Sequence, residues 1–104
     1  MNKIEAEQKS AEMVAALGPD FWTVSHNAFD GEYSPLAVSN DSAVYVSWEE
    51  VENEMGYVAH ANITGYNCGR FGATPVEAVE NLLTDMRRMG QHLLDSANQV
   101  SYIH

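Results

Sequence analysis

A chain of 104 residues, 45% hydrophobic and 19% charged, has room for one hydrophobic core and is too apolar for a disordered segment. Fifteen acidic residues against five basic ones give a formal net charge of −10, and no Lys or Arg occurs between Lys9 and Arg70. That stretch therefore has no cations to neutralise phosphates, which excludes it as a direct binder of DNA, RNA or an anionic membrane. The single cysteine, Cys68, excludes an internal disulfide.

Residues 2–17 are predicted to form a helix. Ile4, Ala11, Val14, Ala15 and Leu17 recur at roughly helical spacing, and Gly18-Pro19 ends the run. The apolar stripe is thin and rich in alanine, which predicts weak packing or a place at an interface. This N-terminus carries acidic residues and lacks the apolar core of a secretory signal, and no apolar run approaches the ~18 residues needed to cross a bilayer. A soluble cytoplasmic protein is the expectation.

Short β-like segments follow. Residues 21–26 are aromatic and β-branched, and Phe29-Asp30-Gly31-Glu32 reads as a turn. Residues 33–38 suit an edge strand, because Pro35 removes a ladder donor. Asn40-Asp41 signals another turn. The clearest strand is 43–50, with Val44, Val46 and Trp48 on one face and Tyr45, Ser47 and Glu49 on the other. A polar hairpin loop is expected at 52–56. The return strand, 57–63, puts Tyr57, Ala59, Ala61 and Ile63 on one side and Val58, His60 and Asn62 on the other.

Residues 64–73, with Gly65, Gly69 and Gly72, are expected to be a loop leading to a second helix. Thr74-Pro75-Val76-Glu77 is a capping-box sequence with Pro at the first helical position. Behind it Val76, Val79, Leu82, Leu83, Met86, Met89, Leu93 and Leu94 form an apolar stripe, and Asp85 and His92 fall on the polar side. The helix is predicted over about 75–96. Val100, Tyr102 and Ile103 could dock on a neighbour. The predicted architecture is α+β in a single domain, 1–104. It has a three- to four-stranded antiparallel sheet over about 21–63, a long C-terminal helix on one face and an added N-terminal helix.

No residue set names a reaction, and no catalytic group, metal site or cofactor is predicted. His60 and Cys68 would make a nucleophilic pair only with an activated thiol and an oxyanion hole. A solvent-facing histidine and an inert thiol are the simpler reading. Zinc ligand pairs of the C-x₂-C or H-x₃-H kind are absent. The glycine-rich 65–72 segment, with Arg70, has neither dinucleotide nor P-loop spacing. A weaker alternative is a small enzyme or ligand-binding protein that uses His60, Cys68 and Arg70.

Val46-Ser47-Trp48, Gly56-Tyr57-Val58-Ala59, Gly65 and Gly72-Ala73-Thr74-Pro75-Val76-Glu77-Ala78-Val79-Glu80-Asn81 carry a family resemblance. The stretch 44–86 resembles the partner-binding domain of HicB-type antitoxins, with Ala61-Asn62-Ile63-Thr64 in place of their Pro-rich turn. The resemblance implies an antiparallel sheet backed by a helix and a protein partner.

The expected function is that of a non-enzymatic acidic module that inhibits or sequesters a nucleic-acid-handling protein. Antitoxins and phage-encoded anti-restriction or anti-CRISPR proteins, some of them DNA mimics, are of this type. The expected partner is a basic protein surface, met by Asp30, Glu32, Asp41, Glu49, Glu50, Glu52 and Glu54. A structural protein forming a homo-oligomer such as a homodimer is the alternative.

Overall fold

Asn2 opens the first helix by accepting from the Glu5 N–H at 2.8 Å, while the Glu5 carboxylate accepts from the Asn2 N–H at 3.0 Å. This start belongs to a computed structural model that describes residues 1–99; Val100, Tyr102 and Ile103 of the suggested docking tail lie outside the described residues. The elements are α1 (Lys3–Leu17), β1 (Trp22–Phe29), β2 (Glu32–Ser39), β3 (Val44–Val51), β4 (Glu54–Ile63), β5 (Tyr66–Gly72) and α2 (Pro75–Gln99). The strands form one antiparallel meander in the order β1-β2-β3-β4-β5, with both helices on one face.

The sheet therefore has five strands rather than three or four. The added strand, β5, is the segment expected to be a glycine loop, and it pairs with β4 from Ile63↔Tyr66 to Tyr57↔Gly72. The chain turns into it at Thr64-Gly65, where Gly65 takes a φ of 84°. Gly72 is needed at the far end, since a Cβ there would overlap the backbone of Ala78 in α2.

Pro35 also departs from expectation, because β2 is an interior strand. Its pairing with β3 covers only Leu36↔Ser47 to Val38↔Tyr45, whereas its pairing with β1 runs its full length. The alternation of ladder bonds points Tyr33, Pro35 and Ala37 toward the β3 side. Pro35 thus lies just before β3 pairing begins, where no donor is needed. Beyond it the carbonyl of Met1 takes the Tyr33 N–H at 3.0 Å.

The helix-side face carries the core. Trp22, Ala37, Val44, Val46, Ala59 and Ala61 from the sheet meet Met13 and Val14 of α1 and Ala78 and Leu82 of α2. Small residues in the sheet let both helices approach closely. α1 is pinned by two polar contacts. The buried Ser10 hydroxyl donates to the Leu36 carbonyl at 2.5 Å and accepts from the Ser25 N–H at 3.0 Å, tying it to the backbones of β1 and β2. The Lys9 ammonium lies 4.6 Å from the Trp48 ring centre and 4.9 Å from that of Tyr57, and donates to the Tyr57 hydroxyl. Burial opposes that charge, but the Tyr57 hydroxyl and Glu12 outweigh it and hold the ammonium above its usual pKa.

Candidate functional site

In an antiparallel meander the β1–β2 and β3–β4 turns lie at one end of the sheet and the β2–β3 and β4–β5 turns at the other. Both turns at the first end are two-residue connections with every residue in the left-handed region. Asp30 and Gly31 have φ of 52° and 79°, and Glu52 and Asn53 have 51° and 69°. The hairpin loop expected over 52–56 is thus only Glu52-Asn53, and β4 begins at Glu54.

This geometry gathers most of the acidic residues singled out in the sequence. Asp30 and Glu32 sit at the first tip, and Glu49, Glu50, Glu52 and Glu54 surround the second; all six are exposed. Glu49 and Glu54 project from the uncovered face of the sheet and Glu50 from the other. Asp30, Glu50, Glu52 and Glu54 have no ion pair among the described residues. Glu32 receives the N-terminal ammonium at 2.7 Å, and this contact lowers the carboxyl pKa and raises that of the amine. Asp41 lies apart, at the opposite end. It accepts from the Ser39 hydroxyl at 2.6 Å and the Ala43 N–H at 3.0 Å, which hold its pKa below the usual value while it shapes the β2–β3 turn.

On the uncovered face, His60 stacks on Tyr45 with ring centres 4.7 Å apart. Its Nε2 lies 3.1 Å from the Ser47 hydroxyl, which donates to Glu49, and 3.6 Å from the Glu49 carboxylate. A Ser-His-acid relay needs the acid on Nδ1 and the hydroxyl on Nε2. Here both meet Nε2, and Nδ1 lies over Gly69. The arrangement fixes the orientation of Glu49 and does not build a nucleophile.

Cys68 and Arg70 face the other way. Register pairs His60 with Gly69 and Ala61 with Cys68, so His60 and Cys68 lie on opposite faces of the sheet. His60, Cys68 and Arg70 therefore do not converge on one site. Cys68 and Arg70 meet Asp85 instead, which turns toward β5 although the helical pattern placed it among the polar positions. One oxygen of Asp85 accepts from the Tyr66 hydroxyl at 2.8 Å, the Arg70 guanidinium at 2.9 Å and the Cys68 thiol at 3.6 Å. The Tyr66 bond, ahead of Arg70, depresses the Asp85 pKa, and the same carboxylate raises those of Tyr66 and Arg70. The cluster staples α2 to β5. No group of three or more His, Cys, Asp or Glu side chains suited to a metal ion occurs among the described residues.

A second exposed surface had no counterpart among the predicted site residues. α2 runs from the hairpin end across the sheet and continues past the far end. There Met89, Leu93 and Leu94 are 41%, 61% and 55% exposed. Two adjoining apolar hollows, sharing Ile63 and Met86, join this flank to Phe21 and Leu83. The signal was present in the stripe itself, whose last members lie too far along the helix for a sheet of this length to cover.

No protein-family model matches the chain, and comparison with curated proteins and with solved structures finds no match. Among the described residues no helix is long and apolar enough to cross a membrane.

Proposed function

We propose that this chain is a non-enzymatic binding protein that inhibits or sequesters a nucleic-acid-handling protein by covering its cationic surface with the acidic hairpin end. The observation that carries the reading is the grouping of Asp30, Glu32, Glu49, Glu50, Glu52 and Glu54 at two turns on one end of the sheet. Carboxylates held on short hairpins present charge at little further cost in ordering, which favours electrostatic complementarity with a basic surface. Antitoxins and phage-encoded anti-restriction or anti-CRISPR proteins, some of which imitate the charge of DNA, are inhibitors of this kind, and the resemblance of 44–86 to HicB-type antitoxins is in keeping with them. Those residues form β3, β4, β5 and the first half of α2.

The test is a capture experiment from the source cell with two baits, the parent chain and a variant with Glu49, Glu50, Glu52 and Glu54 all replaced by lysine. The reversed variant should lose the partner that the parent retains. Equal capture by both, with the fold of the variant intact by circular dichroism, sinks the reading.

The apolar flank of α2 favours one alternative, a homo-oligomer built on Met89, Leu93 and Leu94. Sedimentation across a concentration series tests it. A strict monomer at the highest concentration removes it.

A further inference from the structure

The two edges of the sheet are finished differently. β5 carries Gly69 and Arg70, and its Tyr66, Cys68 and Arg70 side chains are tied to α2 through Asp85. β1 reads Trp-Thr-Val-Ser-His-Asn-Ala-Phe, with no Lys, Arg, Asp, Glu or Pro, and its register with β2 is unbroken from Trp22↔Ser39 to Phe29↔Glu32, so it has no bulge. Those are the devices that normally stop an edge from recruiting another strand, and β1 lacks them.

The free backbone groups can be assigned. Phe29↔Glu32 closes the two-residue Asp30-Gly31 turn and is a hydrogen-bonded pair. Alternation then directs Ser25 and Asn27 toward β2, and Val24, His26 and Ala28 outward. None of these three has a backbone partner on its outer side among the described residues. Alongside the edge runs a groove between β1 and α1, lined by Glu7, Ser10, Ala11, Val24, Ser25 and His26. Val24 is 53% exposed at its rim. Glu7 has no ion pair among the described residues.

We propose that β1 accepts an extended segment of a partner protein as a sixth strand, with alternate side chains in the α1–β1 groove and a Lys or Arg of the segment meeting Glu7. Free edge groups supply the main-chain pairing and the groove supplies side-chain selection, the division of labour in strand addition. Charge chooses the occupant. A second copy pairing edge to edge would set two chains of net charge −10 against each other, whereas a basic strand is attracted. The inference rests on the acidic-surface reading for the sign of the partner's charge, and it locates a contact separate from the hairpin tips.

The probe is a short synthetic peptide alternating arginine and valine, added to the full chain and followed by amide exchange and chemical shift in NMR. Saturable protection of the Val24, His26 and Ala28 amides is expected. The same peptide N-methylated on the residues that face β1 should lose binding, because it keeps its charge and side chains but not its donors. Glu7→Gln should weaken the parent peptide about two- to fivefold, the range of a solvent-exposed ion pair. Equal binding of the N-methylated peptide overturns the proposal in favour of plain electrostatics. Protection that appears without peptide and grows with protein concentration overturns it in favour of a second copy. An unaltered β1 at millimolar peptide overturns it outright. If β1 does not respond while the four-lysine hairpin variant loses its partner, only this inference falls. If β1 responds while that variant keeps its partner, the hairpin reading falls instead.

Discussion

The two helices invert what their sequences suggest. α1 has a thin stripe padded with alanine, yet it docks through Ala6, Ser10, Met13 and Val14, with Met13 fully buried. α2 has the stronger amphipathic pattern, yet only its first part is covered, by way of Ala78 and Leu82, while Met89, Leu93 and Leu94 leave the sheet behind. A wide apolar stripe measures how much surface a helix must cover, and its own sheet need not be what covers it. Alanine and serine, by contrast, allow a close approach that a hydrophobicity pattern undervalues.

Substitution of one residue type at two places on α2 should expose the difference most clearly. Leu82→Ala removes a fully buried side chain and should cost about 2–5 kcal/mol in chemical denaturation. Leu93→Ala, on the projecting part, should stay within about 0.5 kcal/mol in a dilute monomer. Comparable losses at both sites would mean that the far half of α2 is packed after all. For α1 the decisive residue is Ser10. Ser10→Ala leaves the Ser25 N–H and the Leu36 carbonyl without their shared partner and should cost about 1–3 kcal/mol, more than an alanine at exposed Ile4. An Ile4→Ala variant that suffers more than Ser10→Ala would show α1 held by its stripe.

The smallest expected effect concerns pH. The Tyr66 hydroxyl, then Arg70, holds the Asp85 carboxyl below its usual pKa in the folded protein. The unfolded chain binds that proton more tightly, so this stabilisation is present above about pH 4 and is lost as pH falls through the folded value. Asp85→Asn should therefore flatten the acid limb of a denaturation-midpoint profile and leave the shape near neutrality unchanged. An acid limb as steep as the parent's would remove Asp85 from the account.

Much of the architecture could be read locally. The β3–β4 hairpin, the alternation of Val44, Val46 and Trp48, and the start of α2 follow from short-range pattern and chemistry. At that start the Thr74 hydroxyl accepts from the Glu77 N–H at 3.0 Å, although the reciprocal bond of a full capping box does not form. The reciprocal pair occurs at Asn2 and Glu5 instead, where the sequence carries the matching Asn-x-x-Glu signature. β5 was obscured because glycines lower strand propensity, although Tyr66, Cys68 and Arg70 alternate and Thr64-Gly65 makes a turn. Asp85 could not be placed from helical spacing alone, since its partners lie on a strand that the pattern did not reveal. At the candidate site the acidic residues were legible as a composition, but their gathering at one end depended on the parity of the turns. Asp41 falls at the opposite end for the same reason.

Arg87 and Arg88 lie on the part of α2 that leaves the sheet at the end away from the hairpin tips. They share that end with Asp20, Asp41 and Asp95, while the N-terminal ammonium binds Glu32 at the tips, so each end carries both signs of charge. What sets the tips apart is the gathering of Asp30, Glu50, Glu52 and Glu54, which have no ion pair among the described residues. Within a Debye length, about 8 Å at physiological salt, that crowding makes the tips the part of the chain that a cationic surface would draw in first. Encounter rates with such a surface should fall with added salt more steeply than dissociation rates rise.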